Sequence, residues 1–141
     1  MVALAIGAIL ALAIGVFATA VGLDRDRAFY PTVAIVIALL YSLFAVMGGS
    51  TNALVLECLI GTAFLVAAVI GFKSSLWIVA GVLVAHGVYD LAHPHLFVNP
   101  GVPAWWPHFC LTYDVAAGAY LAGLIVSGRA TATRPPAGRG A

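Results

Sequence analysis

The sequence predicts an all-α integral membrane protein, a bundle of five transmembrane helices with its N-terminus outside and its C-terminus in the cytoplasm. Three observations carry that prediction. The 141 residues are 64% hydrophobic and 8% charged, with a mean hydropathy of +1.12, which is more apolar surface than a water-soluble domain of this size needs. The apolar residues fall into five runs, each close to the roughly 20 residues that a bilayer core requires. Threading five runs through a membrane puts all six Lys and Arg on one side, the pattern expected of cytoplasmic loops. No ten-residue alternating strand pattern speaks for a barrel, and a formal net charge of +1 offers nothing to nucleic acid.

The spans lie at about 2–22, 29–47, 53–72, 76–92 and 108–127, forming one domain over residues 1–128. The first ends at Asp24-Arg25-Asp26-Arg27. Ala18-Thr19-Ala20 resembles a signal-peptide cleavage site, but no positive segment precedes the apolar run and cleavage would leave Arg25 and Arg27 outside, so residues 1–20 are expected to be a retained helix. Its small residues Ala3, Gly7, Ala11 and Gly15 recur every four positions, a spacing that lets helices approach closely, inside the bundle or across a homo-oligomer. The second span stops at Gly48-Gly49-Ser50-Thr51-Asn52 and the third at Lys73-Ser74-Ser75. Tyr30 and Trp77 are expected to mark the inner interface, and Trp105 and Trp106 the outer one.

Between the fourth and fifth spans, residues 93–107 hold four of the seven prolines together with Leu96, Phe97, Val98, Trp105 and Trp106. This segment is expected to lie at the interface as a stiff, tryptophan-anchored connection and to act as a lid that admits a lipophilic molecule. Residues 129–141 lack apolar periodicity and are expected to be a disordered cytoplasmic tail.

Topology turns positions into depths. At about 1.5 Å per residue, Glu57 lies roughly 8 Å below the outer end of the third helix, Asp90 and His86 roughly 6 and 12 Å below Pro94, and Asp114 roughly 9 Å below His108. All four share one layer in the outer half of the bilayer, with His93, His95 and His108 above it, while the inner half of the bundle has no ionisable residue. His86, Asp90 and His93 form one stripe along the fourth helix. A glycine stands one turn below each of Glu57 and Asp114, at Gly61 and Gly118, where neighbouring helices can close around the carboxylates. A charged side chain near mid-bilayer costs about 2.5–3.5 kcal/mol on insertion scales, so these groups are expected to face one another or a wet cavity.

Two chemistries suit such a layer. In the leading reading the protein is a membrane-embedded enzyme doing acid–base work, an isomerisation, cyclisation or epoxide opening, on a lipophilic, isoprenoid-like substrate. His86, Asp90, Glu57 and Asp114 are its catalytic candidates, no cofactor is required, and Tyr41, Tyr89, Phe109, Tyr113, Trp105 and Trp106 are candidates to line the substrate pocket. In the second, His86, Asp90, His93, His95 and His108 hold a single divalent metal, Zn, Fe, Mn or Cu. The histidine spacing departs from the HxxxH and HxxHH boxes of membrane hydroxylases, which speaks against dinuclear oxygen chemistry. A non-catalytic accessory subunit of a membrane complex is the third alternative. Cys58 and Cys110 both fall near the outer ends of their helices, so a disulfide between them stays open here. The expected location is a cell membrane, as in a bacterial inner membrane, with the lipid bilayer itself as partner.

Overall fold

The structure is a computed structural model that describes residues 1–132. Within them there are five helices and no strands: α1 (Val2–Val21), α2 (Phe29–Met47), α3 (Thr51–Lys73), α4 (Leu76–Leu96) and α5 (Trp106–Val126). All five are long and apolar enough to cross a membrane. Their outward faces carry large exposed apolar side chains, among them Ile9, Phe17, Leu43, Leu59, Val88 and Val115, whereas Glu57, His86, Asp90, His93 and Asp114 are buried. That inversion of the soluble pattern is what a lipid solvent selects, because apolar surface is free to face acyl chains and polar groups must find partners inside.

Local chemistry sets the helix ends. Gly22, at φ 83°, closes α1 in the left-handed conformation that glycine tolerates best. Ser50 and Ser75 cap α3 and α4, their hydroxyls accepting from the Ala53 and Trp77 amides. Three boundaries differ from the sequence reading by two residues or more. The Ser50 cap starts α3 at Thr51, two residues early. Pro107 lies within the first turn of α5, where its missing N–H costs nothing, so that helix starts at Trp106 and not at 108. The third difference matters most: α4 runs through Pro94 to Leu96, so His93 and His95 are helical and do not belong to the loop. A proline normally ends a helix, but here tertiary contacts of His93 hold the last turn in place.

The helices are arranged so that α5 packs against α1 on one side and α4 on the other, α3 packs between α2 and α4, and α2 touches α4 across the centre. Glycines make these approaches close. A Cβ on Gly61 would stand 3.1 Å from the Ala38 carbonyl oxygen of α2, and one on Gly118 3.0 Å from that of Ala80 in α4. Of the small-residue stripe of α1, Gly7, Ala11 and Gly15 are buried in the bundle and Ala3 is half-buried, and Gly7 and Gly15 abut α5 of the same chain.

The two ends of the bundle are distinct. At one end, Arg27 donates to the carbonyls of Phe72 (3.2 Å) and Ala132 (2.9 Å), and the Leu76 amide donates to Ala132 as well (2.8 Å). Residues 129–132, read from sequence as the start of the tail, are thus held against the α1–α2 and α3–α4 connections; 133–141 lie outside the described residues. At the other end the segment 97–105 rests on the last turn of α2, where a Cβ on Gly101 would collide with the Phe44 carbonyl. Trp77 and Trp105 are exposed near opposite ends, as interfacial anchors should be, but Tyr30 is buried in the apolar core with Leu76, Leu83 and Leu121 and is no anchor.

A Cβ on Gly7 would fall 2.2 Å from the Phe109 carbonyl oxygen, whereas nothing lies within 4 Å of Gly81. Gly7→Ala is therefore expected to destabilise the bundle by about 1–3 kcal/mol, the usual cost of overpacking. Gly81→Ala should be neutral or slightly stabilising. Thermal unfolding in detergent micelles compares the two, and equal midpoints would contradict the α1–α5 packing.

Candidate functional site

Four helices bring their polar side chains to one level of the bundle, in two groups. The first joins α4 to α5. Gly87, next to His86, faces the Leu111 carbonyl of α5, where a Cβ would be 3.0 Å away, so the two backbones approach closely at this point. His86 Nδ1 lies 2.7 Å from Asp114 Oδ2 and 3.5 Å from Asp90 Oδ2. Asp90 Oδ1 accepts from the Tyr41 hydroxyl of α2 at 2.7 Å. Both carboxylates are fully buried, and the imidazole is surrounded by the rings of Phe64, Tyr89 and Tyr41 at centroid distances of 4.8, 5.8 and 6.1 Å.

The second group ties α3 to the end of α4 and to the loop. Glu57 Oε1 pairs with His93 Nε2 (2.7 Å) and accepts from Asn99 Nδ2 (2.8 Å), and Oε2 accepts from the Tyr89 hydroxyl (3.0 Å). Asn99 also donates to the Tyr41 carbonyl at 3.0 Å. Tyr41 is the hinge between the groups: its hydroxyl serves Asp90, its ring stacks on His93 at 4.3 Å, and its carbonyl holds the loop.

The groups differ in one respect that bears on chemistry. Glu57 has both oxygens engaged by three donors, the arrangement of a carboxylate that holds structure together. Asp90 Oδ2 and Asp114 Oδ1 are buried with no hydrogen-bond partner. An unmatched carboxylate oxygen in an apolar interior is costly and marks a place where a proton, a cation or a reacting group is accommodated. One nitrogen or oxygen from each of His86, Asp90 and Asp114 lies within 4.8 Å of the others, so the set can bind a metal ion or act in catalysis.

Other expected residues are placed elsewhere. His95 and His108 are exposed and stand outside both buried groups, so they are not among the convergent donors. They line, with Asp90, Leu91, Pro94, Pro107 and Leu111, a cleft of about 210 Å³ between α4 and α5. Tyr41 and Tyr89 touch the site. Trp105, Trp106, Phe109 and Tyr113 instead form a run of ring contacts at and along the start of α5, joined to Tyr41 through Phe44, and Tyr113 borders a different cleft, with Leu23, Phe29 and Ile37. Cys58 is exposed on α3 and Cys110 is buried on α5; they are free thiols and form no disulfide.

Asn99 is the buried site residue that the sequence analysis does not single out. Its one signal was to be a lone amide in an otherwise apolar and proline-rich loop. No family model, curated protein or solved structure matches the chain.

Tyr41→Phe removes the donor to Asp90 and leaves that carboxylate with no short hydrogen bond, at an expected cost of about 1–3 kcal/mol. In a Tyr41→Phe/Asp90→Asn cycle the double variant should lose less than the sum of the single ones. Unfolding in mixed micelles measures both, and strict additivity would remove the contact from the account.

Proposed function

We propose that the chain is a membrane-embedded enzyme that carries out acid–base chemistry on a lipophilic molecule, with His86, Asp90 and Asp114 as the reacting groups. The observation that carries this reading is a single buried imidazole shared by two buried carboxylates, each with an unmatched oxygen, one of which, Asp90, also borders a cleft with largely apolar walls. In this reading one carboxyl carries the proton to be delivered, and a histidine donating Nδ1–H to the other carboxylate keeps its second nitrogen as a base. One carboxyl then delivers a proton to a double bond or an epoxide oxygen while the imidazole removes one, which suits isomerisation, cyclisation or epoxide opening of an isoprenoid-like compound. Leu91, Pro94, Pro107 and Leu111 line the way in from the bilayer. In this reading Glu57 is a positioning residue that fixes His93, Tyr89 and the loop.

The second reading places one divalent ion, Zn, Fe, Mn or Cu, among the same three side chains. It is favoured by the convergence of one nitrogen and two oxygen donors, a set that leaves coordination positions open. An accessory role in a larger membrane complex has no observation of its own in its favour.

The membrane is a cell membrane, such as a bacterial inner membrane, crossed five times. By the distribution of Arg25, Arg27, Lys73 and Arg129, the N-terminus and the 97–105 segment face outward and the C-terminus faces the cytoplasm.

Purified protein in liposomes, incubated with a total lipid extract and followed by mass spectrometry, tests the enzyme. One lipophilic species should fall and another rise with the wild type, and Asp114→Asn and Asp90→Asn should lower that conversion about 100-fold or more without unfolding. An unchanged lipid profile with the wild type, or full conversion by both variants, overturns the proposal. For orientation, Val98→Cys and Arg129→Cys should react with impermeant maleimide from opposite sides of the cell, Val98→Cys from outside; labelling from one side contradicts the topology.

A further inference from the structure

His95 and His108 are the two histidines that the buried network leaves out, and both line the α4–α5 cleft together with the buried Asp90. They belong to different helices and are exposed; His108 also borders the neighbouring cavity of about 400 Å³ that is lined by the 97–105 segment, together with His93 and Asn99. Below them, Asp90 turns an unmatched oxygen toward His86, and Asp114 keeps another. The cleft therefore offers two imidazoles and the Asp90 carboxylate, and through Asp90 it adjoins the convergent set that His86 and Asp114 complete.

We infer that a divalent transition-metal ion reaches the His86–Asp90–Asp114 set through this cleft, with His95 and His108 as the capture pair at its mouth. The inference rests on the metal reading of the site. Three features point to a cation of this class. Neutral imidazole with carboxylate is the donor combination that borderline ions such as Zn²⁺ take and that Mg²⁺ and Ca²⁺ do not prefer. The described Lys and Arg residues, Arg25, Arg27, Lys73 and Arg129, lie at the opposite end of the bundle, so no described Lys or Arg side chain opposes a cation at this one. The unmatched oxygens are more than nine-tenths buried and gain from an ion what the protein itself does not provide. The cleft's other walls, Leu91, Pro94, Pro107 and Leu111, offer no competing donor, so an ion released by the capture pair meets Asp90 next.

The test uses the full chain with any affinity tag removed, Zn²⁺ as the probe, and a chelating indicator that reports loading by stopped flow. Wild type should take up a single Zn²⁺. His86→Ala and Asp114→Asn should weaken binding by about 100-fold. The double variant His95→Ala/His108→Ala, altered only at exposed positions, should retain a single ion at equilibrium but load it about tenfold more slowly, as expected when a steering site is lost. In liposomes, loading should be fast only from the side that bears the 97–105 segment. Wild-type loading that the double variant leaves unchanged, or equal loading from both sides, overturns the capture role while sparing the metal reading. Loss of the ion from the double variant, or full retention by His86→Ala, puts the ion at the mouth and overturns the transfer. A wild type that takes up no Zn²⁺ overturns the metal reading itself.

Discussion

Everything in this bundle turns on burying two carboxylates beside a single imidazole. Asp90 and Asp114 belong to adjacent helices, and each is drawn toward the same nitrogen of His86, at 3.5 and 2.7 Å. Removed from water, neither charge is tolerable alone. Their compensation therefore dictates how α4 and α5 meet, which is why Gly87 and Gly118 occupy the line of contact and allow the two backbones to approach. It also dictates where α2 stands, since Tyr41 is the remaining donor to Asp90. Packing and polarity are one problem here: the small residues exist so that the polar ones can reach each other.

The second buried carboxylate group solves a different problem. Glu57 spends both of its oxygens on His93, Asn99 and Tyr89, and through them it fixes the last turn of α4, the 97–105 segment and the α3–α4 contact. The result is a segment tied to the bundle, with Asn99 bonded to the Tyr41 carbonyl and Gly101 seated on the end of α2. Beneath it lies a group with capacity left over. A satisfied network that holds an unsatisfied one in place is the arrangement expected where positioning and reactivity are assigned to different residues.

Much of this was legible in the sequence, for physical reasons. Helix number followed from bilayer thickness, and the placing of Glu57, His86, Asp90 and Asp114 at one level followed from a constant rise per residue. The stripe His86, Asp90, His93 followed from helical periodicity. What depth and periodicity do not encode is azimuth, the direction in which each helix is rotated. The division of one polar layer into two groups was therefore hidden, as was the outward turn of His95 and His108. Pro94 misled for a local reason: its effect on the backbone suggested an end to α4, but the contacts of His93 with Glu57 and Tyr41 outweigh it. Asn99 was hidden because an Asn-Pro-Gly sequence is a turn signal whether or not the amide has a buried partner. Tyr30 was mistaken for an anchor because position along the chain says nothing of which face it occupies.

The most direct test of this account is nitrogen NMR of histidine-labelled protein in micelles or lipid, with the imidazole resonances assigned by substitution. Two separate pairings require that Asp114→Asn move the His86 signals and leave those of His93 in place, and that Glu57→Gln do the reverse. If one substitution moves both histidines alike, or if His86 is indifferent to Asp114, the shared-imidazole centre does not exist and the functional reading built on it fails.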